Sequence, residues 1–318
     1  MRLLKTILTF AIVLLGICEC ANAQRGGTVP RAWHDTTPDN GFWVDVGGAV
    51  FDRPGISNST ALLQDSVTNQ VLFTVEDFTD LDTSFGANVA FGGTNQWCGI
   101  WDVEATLVNW DVSNTITGDN LIAPLFGNAE PDLVNFSYDA DLASIEFNIK
   151  RPVSRGLTLT AGPRYFRLDE QINFNTSTAV AGVTVQTNND TRNTFSLVGA
   201  QVGAEFRQQL SQSFFLETHG QIAGFISHIE TSSSSTDPFG VQANSDDDVD
   251  TGAVIGEVGG RLAWDIVPGA LRGYVGYEAV WLGLGSDGES LSTSASAVGE
   301  PEDSIFYHQI LFGVTLFK

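Results

Sequence analysis

Charged side chains recur at alternate positions between apolar neighbours, a spacing that could serve the binding or passage of charged solutes. Glu104, for example, lies between Val103 and Ala105. In a β-strand, alternation with period two places the charged residues on one face and the apolar residues on the other. The residues with this placement are Asp45, Asp102, Glu104, Glu146, Arg164, Glu205, Glu217, Glu257, Arg261, Asp265, Arg272 and Glu278. We predict that these nine acids and three arginines line a common interior.

Acidic residues dominate this set, as they dominate the whole chain. The sequence has 15 Lys and Arg against 38 Asp and Glu, for a net charge of -23. Carboxylates held in a wall of low dielectric constant attract cations and repel anions. The predicted interior therefore favours cations if it conducts. A chain this acidic is also repelled by phosphate, so nucleic-acid binding is not expected.

The alternation occupies ten segments, which must be the elements that position these residues. They are 42–51, 82–91, 100–110, 137–150, 156–168, 194–206, 213–229, 252–266, 271–284 and 305–317. Long connections follow the odd-numbered segments: 52–81, 111–136, 169–193, 230–251 and 285–304. Short connections of four to eight residues follow the even-numbered segments.

Strict alternation of long and short connections is typical of one architecture. It predicts an all-β fold, a single transmembrane antiparallel β-barrel with long extracellular loops and short periplasmic turns. We expect about ten strands within a range of 8–12, the upper value applying if 62–75 and 172–188 add strands. A soluble, secreted β-sandwich or barrel would alternate in the same way and is the alternative.

The N-terminus has the pattern of an export signal. Arg2 and Lys5 precede an apolar stretch, and Ala21-Asn22-Ala23 is a small-x-small cleavage site, which predicts a signal peptide over 1–23. Residues 24–40 are expected to form a flexible periplasmic segment, and 41–318 one outer-membrane barrel domain. Such a barrel would have outer-membrane lipid and the barrel-assembly machinery as partners. It could also form a homo-oligomer.

A family resemblance begins at Tyr138 and continues to Phe174. The stretch 162–170 reads GPRYFRLDE, and further matches are Leu197 to Glu205, Gly273 to Leu282, and Phe306-Tyr307-His308. Over about 137–317, the chain resembles the planctomycete β-barrel porin-like family of outer-membrane proteins. It is also similar in type to pore-forming major outer-membrane proteins. The resemblance implies a cell-envelope location and a barrel shape, and it implies no catalytic residues.

Three functions remain open at this point. A porin-like passive channel would take small solutes with cation preference. Alternatively, ten strands make a narrow barrel that its own side chains can fill, which would leave a plugged structural or surface-display barrel acting through its loops. A barrel enzyme is the third. Neither Gly-x-Ser-x-Gly nor His-Glu-x-x-His occurs in the chain, so no enzymatic activity and no cofactor are expected.

An acidic stretch at 245–257 has a spacing that suits Ca²⁺. Asp246, Asp248 and Asp250 stand at the first, third and fifth positions of an EF-hand-like loop. Thr251 stands where that loop needs glycine. The three aspartates are therefore kept as candidate Ca²⁺ ligands, with a solvated acidic loop as the alternative for 245–252.

Overall fold

The fold is known from a computed structural model. It describes residues 41–53, 61–65, 67–74, 81–95, 99–117, 121–122, 132–180, 183–236, 242–284 and 304–318. The signal peptide and the periplasmic segment predicted for 1–40 lie outside the described residues.

Ten long strands form one closed antiparallel barrel, and three short strands form a separate small sheet. The barrel strands are β1 (Phe42–Arg53), β4 (Leu81–Asn95), β5 (Gly99–Thr117), β7 (Leu133–Ser154), β8 (Leu157–Val180), β9 (Val183–Gln209), β10 (Phe214–Thr236), β11 (Gln242–Val267), β12 (Leu271–Leu284) and β13 (Ser304–Phe317). The small sheet has the order β3 (Val71–Thr74), β2 (Ala61–Asp65), β6 (Leu121–Ile122). The predicted fold class and all ten predicted strands are confirmed.

Closure is made by the first and last strands. Val46 of β1 pairs with Val314 of β13. The Phe42 amide donates to the Lys318 carbonyl at 3.0 Å, and the Lys318 amide donates to the Phe42 carbonyl at 2.9 Å. Every barrel strand therefore has a partner on both sides, which satisfies the backbone where no water is available.

Two of the predicted long loops are wrong in detail, because they are largely strand. The segment 169–193 is taken up by β8 and β9, which continue to Val180 and resume at Val183, and 230–251 by β10 and β11. The residues 62–75 and 172–188 add no further barrel strands. Backbone pairing along a hairpin needs no apolar alternation, so the polar ends of these strands gave no signal in the sequence.

The outer face of the barrel carries an apolar belt. Each barrel strand contributes exposed apolar side chains: Val46, Val89, Leu107, Ile145, Leu159, Val202, Ile222, Val258, Tyr277 and Ile310 are one from each. A continuous apolar surface around the whole circumference is unstable in water and is the surface that lipid covers. No helix in the described residues is long and apolar enough to span a membrane.

Toward the end opposite the short turns, the polarity of the two faces is reversed. In β7, Tyr138, Ala140 and Leu142 face inward and are buried, whereas Asp139 and Asp141 face outward. Inward side chains of nine barrel strands pack here into one apolar core across the lumen, with Phe51, Val108, Leu142, Phe166, Leu168, Phe195, Leu197, Phe225, Ile255, Leu282 and Tyr307 among them. Leu168 and Leu197 in this apolar core are 0% exposed.

Candidate functional site: the barrel lumen

The predicted interior residues surround one cavity of about 250 Å³ in the lumen. All of them except Asp265 line this cavity. Asp265 lies beside it and accepts a hydrogen bond from Arg272 Nε at 2.8 Å. The strands position these groups by alternation alone, because every second side chain of each strand points to the barrel axis. The cavity is large enough for on the order of 15 waters.

A mouth network of ion pairs occupies the end of the lumen near the short turns. Lys150 Nζ lies 2.5 Å from Asp102 and 2.6 Å from Glu205. Glu217 is surrounded by Arg261 at 2.6 Å, Arg207 at 3.5 Å and Arg272 at 3.6 Å. Each acid of this network thus has a cation beside it, which is the condition for a buried charge to be stable.

Aromatic side chains complete the mouth network. The guanidinium carbon of Arg207 lies 4.1 Å from the ring centroid of Phe215, and that of Arg272 lies 4.6 Å from the same ring. Arg261 lies 4.7 Å from the ring of Tyr274, whose hydroxyl donates to Asp45 at 2.7 Å. These distances are within the range of cation–π attraction, so the arginines are fixed by aromatic stacking as well as by acids.

A central network lies between the mouth network and the apolar core. Arg164 Nη2 pairs with Glu257 at 2.6 Å, and its Nη1 lies 3.9 Å from Glu146. On the other side of the lumen, His219 contacts Glu278 at 2.8 Å, and Gln309 donates to the same carboxylate at 2.5 Å.

Glu104 is the acid of the central network without a cationic partner among the described residues. It accepts a hydrogen bond from Asn88 at 2.5 Å. Directly opposite it in the ladder, on β7, is another carboxylate, Glu146. Two further acids, Asp102 and Glu278, and the imidazole of His219 also lie close enough to interact with its charge. Like charges directly opposite one another destabilise a sheet, so this position is unfavourable for folding.

Five further lumen residues matter to this arrangement. The period-two pattern places three of them, Gln201, His219 and Gln309, on the inner face without a role, and it misses Lys150 and Arg207. Lys150, Arg207, His219, Gln201 and Gln309 all lie inside the barrel. Gln201, for example, donates to Glu146 at 2.5 Å and to Asn148 at 2.8 Å. Extending the alternation of β7 and β9 to their last residues would have placed Lys150 and Arg207 on the inner face. With them, the wall of the cavity together with the adjacent Asp265 has five Lys and Arg against nine acids, so the acidic excess around the cavity is smaller than the sequence predicted.

The apolar core bounds the cavity on its other side. Phe51, Leu142 and Phe166 belong both to the cavity lining and to the apolar core. The cavity thus lies between a charged, aromatic mouth and a packed apolar layer.

Among solved structures, the chain is similar to outer-membrane proteins at low identity. The outer-membrane protease OmpT from Escherichia coli is 11% identical, with a TM-score of 0.40, over 89% of this chain and 98% of that chain. The toluene transporter TodX from Pseudomonas putida is 9% identical, with a TM-score of 0.37, over 91% and 92%. A major outer membrane protein from Thermus thermophilus is 10% identical, with a TM-score of 0.35, over 87% and 99%. No family model and no curated protein matches the chain.

The closed barrel and the apolar belt on its outer face together indicate that this chain lies in a membrane. The protein is an outer-membrane β-barrel. The short turns, the start of β1 and the end of β13 lie at one end of the barrel, which in this class is the periplasmic end. The longest strands extend beyond the membrane at the opposite end.

Beyond the lipid belt of this outer-membrane barrel, a polar cluster lies on the outer face of β10 and β11. His228 Nδ1 lies 2.8 Å from Asp250, and its Nε2 lies 3.3 Å from Glu230. The hydrogen bond to Asp250 raises the pKa of His228 above its ordinary value, and the negative charges of Asp250 and Glu230 act in the same direction.

The candidate Ca²⁺ ligands are part of this polar cluster. Asp246, Asp248 and Asp250 lie on strand β11, so the loop predicted for 245–252 is wrong and an EF-hand-like loop is not formed. Residues at alternate positions of a strand are about 6.6 Å apart, too far for one ion to bind all three directly. In the part of the chain that the structure describes, no three His, Cys, Asp or Glu side chains converge as a metal site.

Proposed function

We propose that this outer-membrane barrel has a closed lumen and acts as a structural, surface-displayed component of the cell envelope. The observation that carries the proposal is the apolar core. It places buried apolar side chains from nine strands inside the barrel, at a level that any permeating ion would have to cross. A narrow ten-stranded barrel can be filled by its own residues, and an ion that crosses a packed apolar layer must lose its hydration shell.

Five adjacent strands support display at the cell surface. β7 to β11 have 22, 24, 27, 23 and 26 residues. Crossing a bilayer takes about 9–11 residues, so roughly half of each strand stands outside the membrane. The five strands therefore extend together beyond the membrane, and they would present their polar outer face to partners.

A channel is the second candidate, favoured by the charged cavity. The chain would then be a porin-like passive channel for small solutes, in line with its resemblance to the planctomycete porin-like family. The nine acids against five Lys and Arg would give it cation preference. This function requires the apolar core to open. Neither candidate includes an enzymatic activity.

Conductance in a planar bilayer separates the two candidates. We expect the refolded wild type to give no discrete current steps, although heat-modifiable gel mobility shows a folded barrel. We expect steps from Phe166→Ala/Phe225→Ala, which removes two rings from the apolar core. Val198→Ala, a lipid-facing change of strand β9, is the matched control and stays silent. Steps from the wild type would refute the closed lumen, and an anion-selective reversal potential would refute cation preference.

A further inference from the structure

We propose that the outer end of strand β11 binds a basic, extended peptide of another protein, which adds to the sheet as one more strand. The first observation is the strand pairing. Strand β11 pairs with β10 from Gln242 onward, whereas its pairing with β12 begins only at Ala253. From Gln242 to Gly252, β11 therefore has a partner strand on one side only among the described residues. We call this segment the free edge.

The backbone of the free edge directs hydrogen-bonding groups to its open side. The Asp265 amide donates to the Ser213 carbonyl at 2.9 Å on the β10 side, and the ladder runs from there to Gln242 without a bulge. Since these groups alternate in direction along an antiparallel strand, odd-numbered residues of β11 bond to β10 and even-numbered residues face the open side. The Asp248 amide agrees with this direction, because it donates to the side chain of Asp247 at 3.0 Å. A row of open amides and carbonyls is a template for an added strand.

Solvent exposure agrees with the strand pairing. Every residue from Gln242 to Asp248 is exposed, so the strand is open to solvent on both of its faces. One strand further into the sheet, the inward side chains of β10 at Ser233 and Ser235 are only partly exposed. The free edge is thus accessible to a partner in the part of the protein that the structure describes.

The charge of the free edge selects the partner. Asp246, Asp248 and Asp250 project from its outer face. No Lys or Arg occurs in the sequence between Arg207 and Arg261. Antiparallel pairing with a second copy of the free edge in full overlap would place Asp246 opposite Asp248, and like charges on paired strands are destabilising. A strand with Lys or Arg at alternate positions would instead place a cation beside each aspartate, because both strands repeat every two residues, at about 6.6 Å.

The inference rests on the proposed function, since a partner reaches the free edge only if β10 and β11 extend from the cell surface. It adds the chemistry of the partner, which backbone hydrogen bonds hold and positive charge selects. The three aspartates, which are too far apart to bind one ion together, would here contact three separate cations.

Peptide binding to the refolded barrel in a nonionic detergent tests the proposal by fluorescence anisotropy. The probe is a labelled peptide of alternating Lys and Thr with the length of the free edge, and we expect saturable binding. Asn244→Pro should weaken binding roughly ten-fold, because the ring removes an amide on the open side and leaves the ladder with β10 intact. Asn244→Ala is the matched control and should bind as the wild type does. Asp246→Asn/Asp248→Asn should also weaken binding, because the cations lose their partners.

A second peptide separates strand pairing from charge alone. It has the same sequence with a methyl group on the backbone nitrogen of each Lys, so it keeps the charge and loses the donors, and we expect no saturable binding. Equal binding of the two peptides, or of the first peptide to the wild type and Asn244→Pro, would overturn the proposal. No binding of the first peptide to a wild type of folded gel mobility would also overturn it.

Self-association of the wild type that Asn244→Pro abolishes would overturn the proposal in another way, because a second copy would then be the partner. Failure of the proposed function has a different signature. Current steps from the wild type in a planar bilayer would refute the closed lumen, and they would leave the results with the two peptides unchanged.

Discussion

Arg164 is a lumen residue whose loss should cost this barrel much of its stability. Its side chain is 8% exposed, and its guanidinium contacts Glu257 at 2.6 Å and Ser144 at 3.1 Å. Arg164→Met would leave Glu257, whose side chain is 4% exposed, as a buried charge without its cation. Breaking a buried pair from one side costs about 3–5 kcal/mol. We expect that loss in the free energy of unfolding.

Reversible urea unfolding in lipid vesicles, followed by tryptophan fluorescence, measures this loss. Arg167→Met is the matched control, because Arg167 is 43% exposed and its pair with Asp169 at 2.7 Å should be worth about 0–1 kcal/mol. The double variant Arg164→Met/Glu257→Gln should regain about 1–3 kcal/mol, since it removes the stranded charge. If Arg164→Met lost no more than Arg167→Met, water in the cavity would be screening the central network, and the reasoning would fail.

Three further perturbations test the apolar core, the polar cluster and the backbone. Leu197→Ala should lower the free energy of urea unfolding by about 2–5 kcal/mol, because it opens a cavity in the packed layer. His228→Ala should lower the thermal midpoint at pH 5 and leave it unchanged at pH 9, because the contact of His228 with Asp250 is at full strength below the unfolded pKa and is lost as pH rises through the raised folded pKa. Gly162→Ala should abolish the folded gel band, since its Cβ would lie 1.7 Å from a backbone oxygen, whereas Gly224→Ala, with open space around it, should fold.

The sequence predicted the barrel because lipid and lumen impose opposite solvents on the two faces of each strand. Where that contrast exists, as in β12 over Leu271–Leu284, the predicted and observed bounds coincide. Outside the membrane the contrast is lost. The end of β10 is a run of Ser and Thr whose pairing with β11 is made by backbone groups alone, so no side-chain pattern marked it.

The lumen was predicted less completely than the barrel, for a different reason. Period two tells which face a residue is on, and it placed Glu104 and Glu146 inside. It does not tell which residues meet across a barrel. That Glu104 stands opposite Glu146 and not opposite an arginine depends on the register between β5 and β7, which closure of the whole ring sets.

The reversal of polarity between the inner and outer faces can nevertheless be recognised in the sequence. Leu197 faces inward and Val198 outward, and Phe225 and Ile226 repeat this arrangement on the next strand. On the periplasmic side of each pair the apolar residues face lipid, and on the extracellular side they face the lumen. The ladder between β9 and β10 keeps its register through this point, so no bulge makes the change.

An apolar pair of this kind is expected where the two faces need apolar residues at once. Here that condition is met at the level where the outer face still contacts lipid and the inner face already belongs to the apolar core. The pairs Leu197-Val198 and Phe225-Ile226 therefore mark the level at which the outer face still contacts lipid and the apolar core begins inside. In a barrel with an open, water-filled lumen the inner face would stay polar at this height. Apolar pairs aligned at one level across neighbouring strands are thus a sequence signal that separates a filled barrel from a pore.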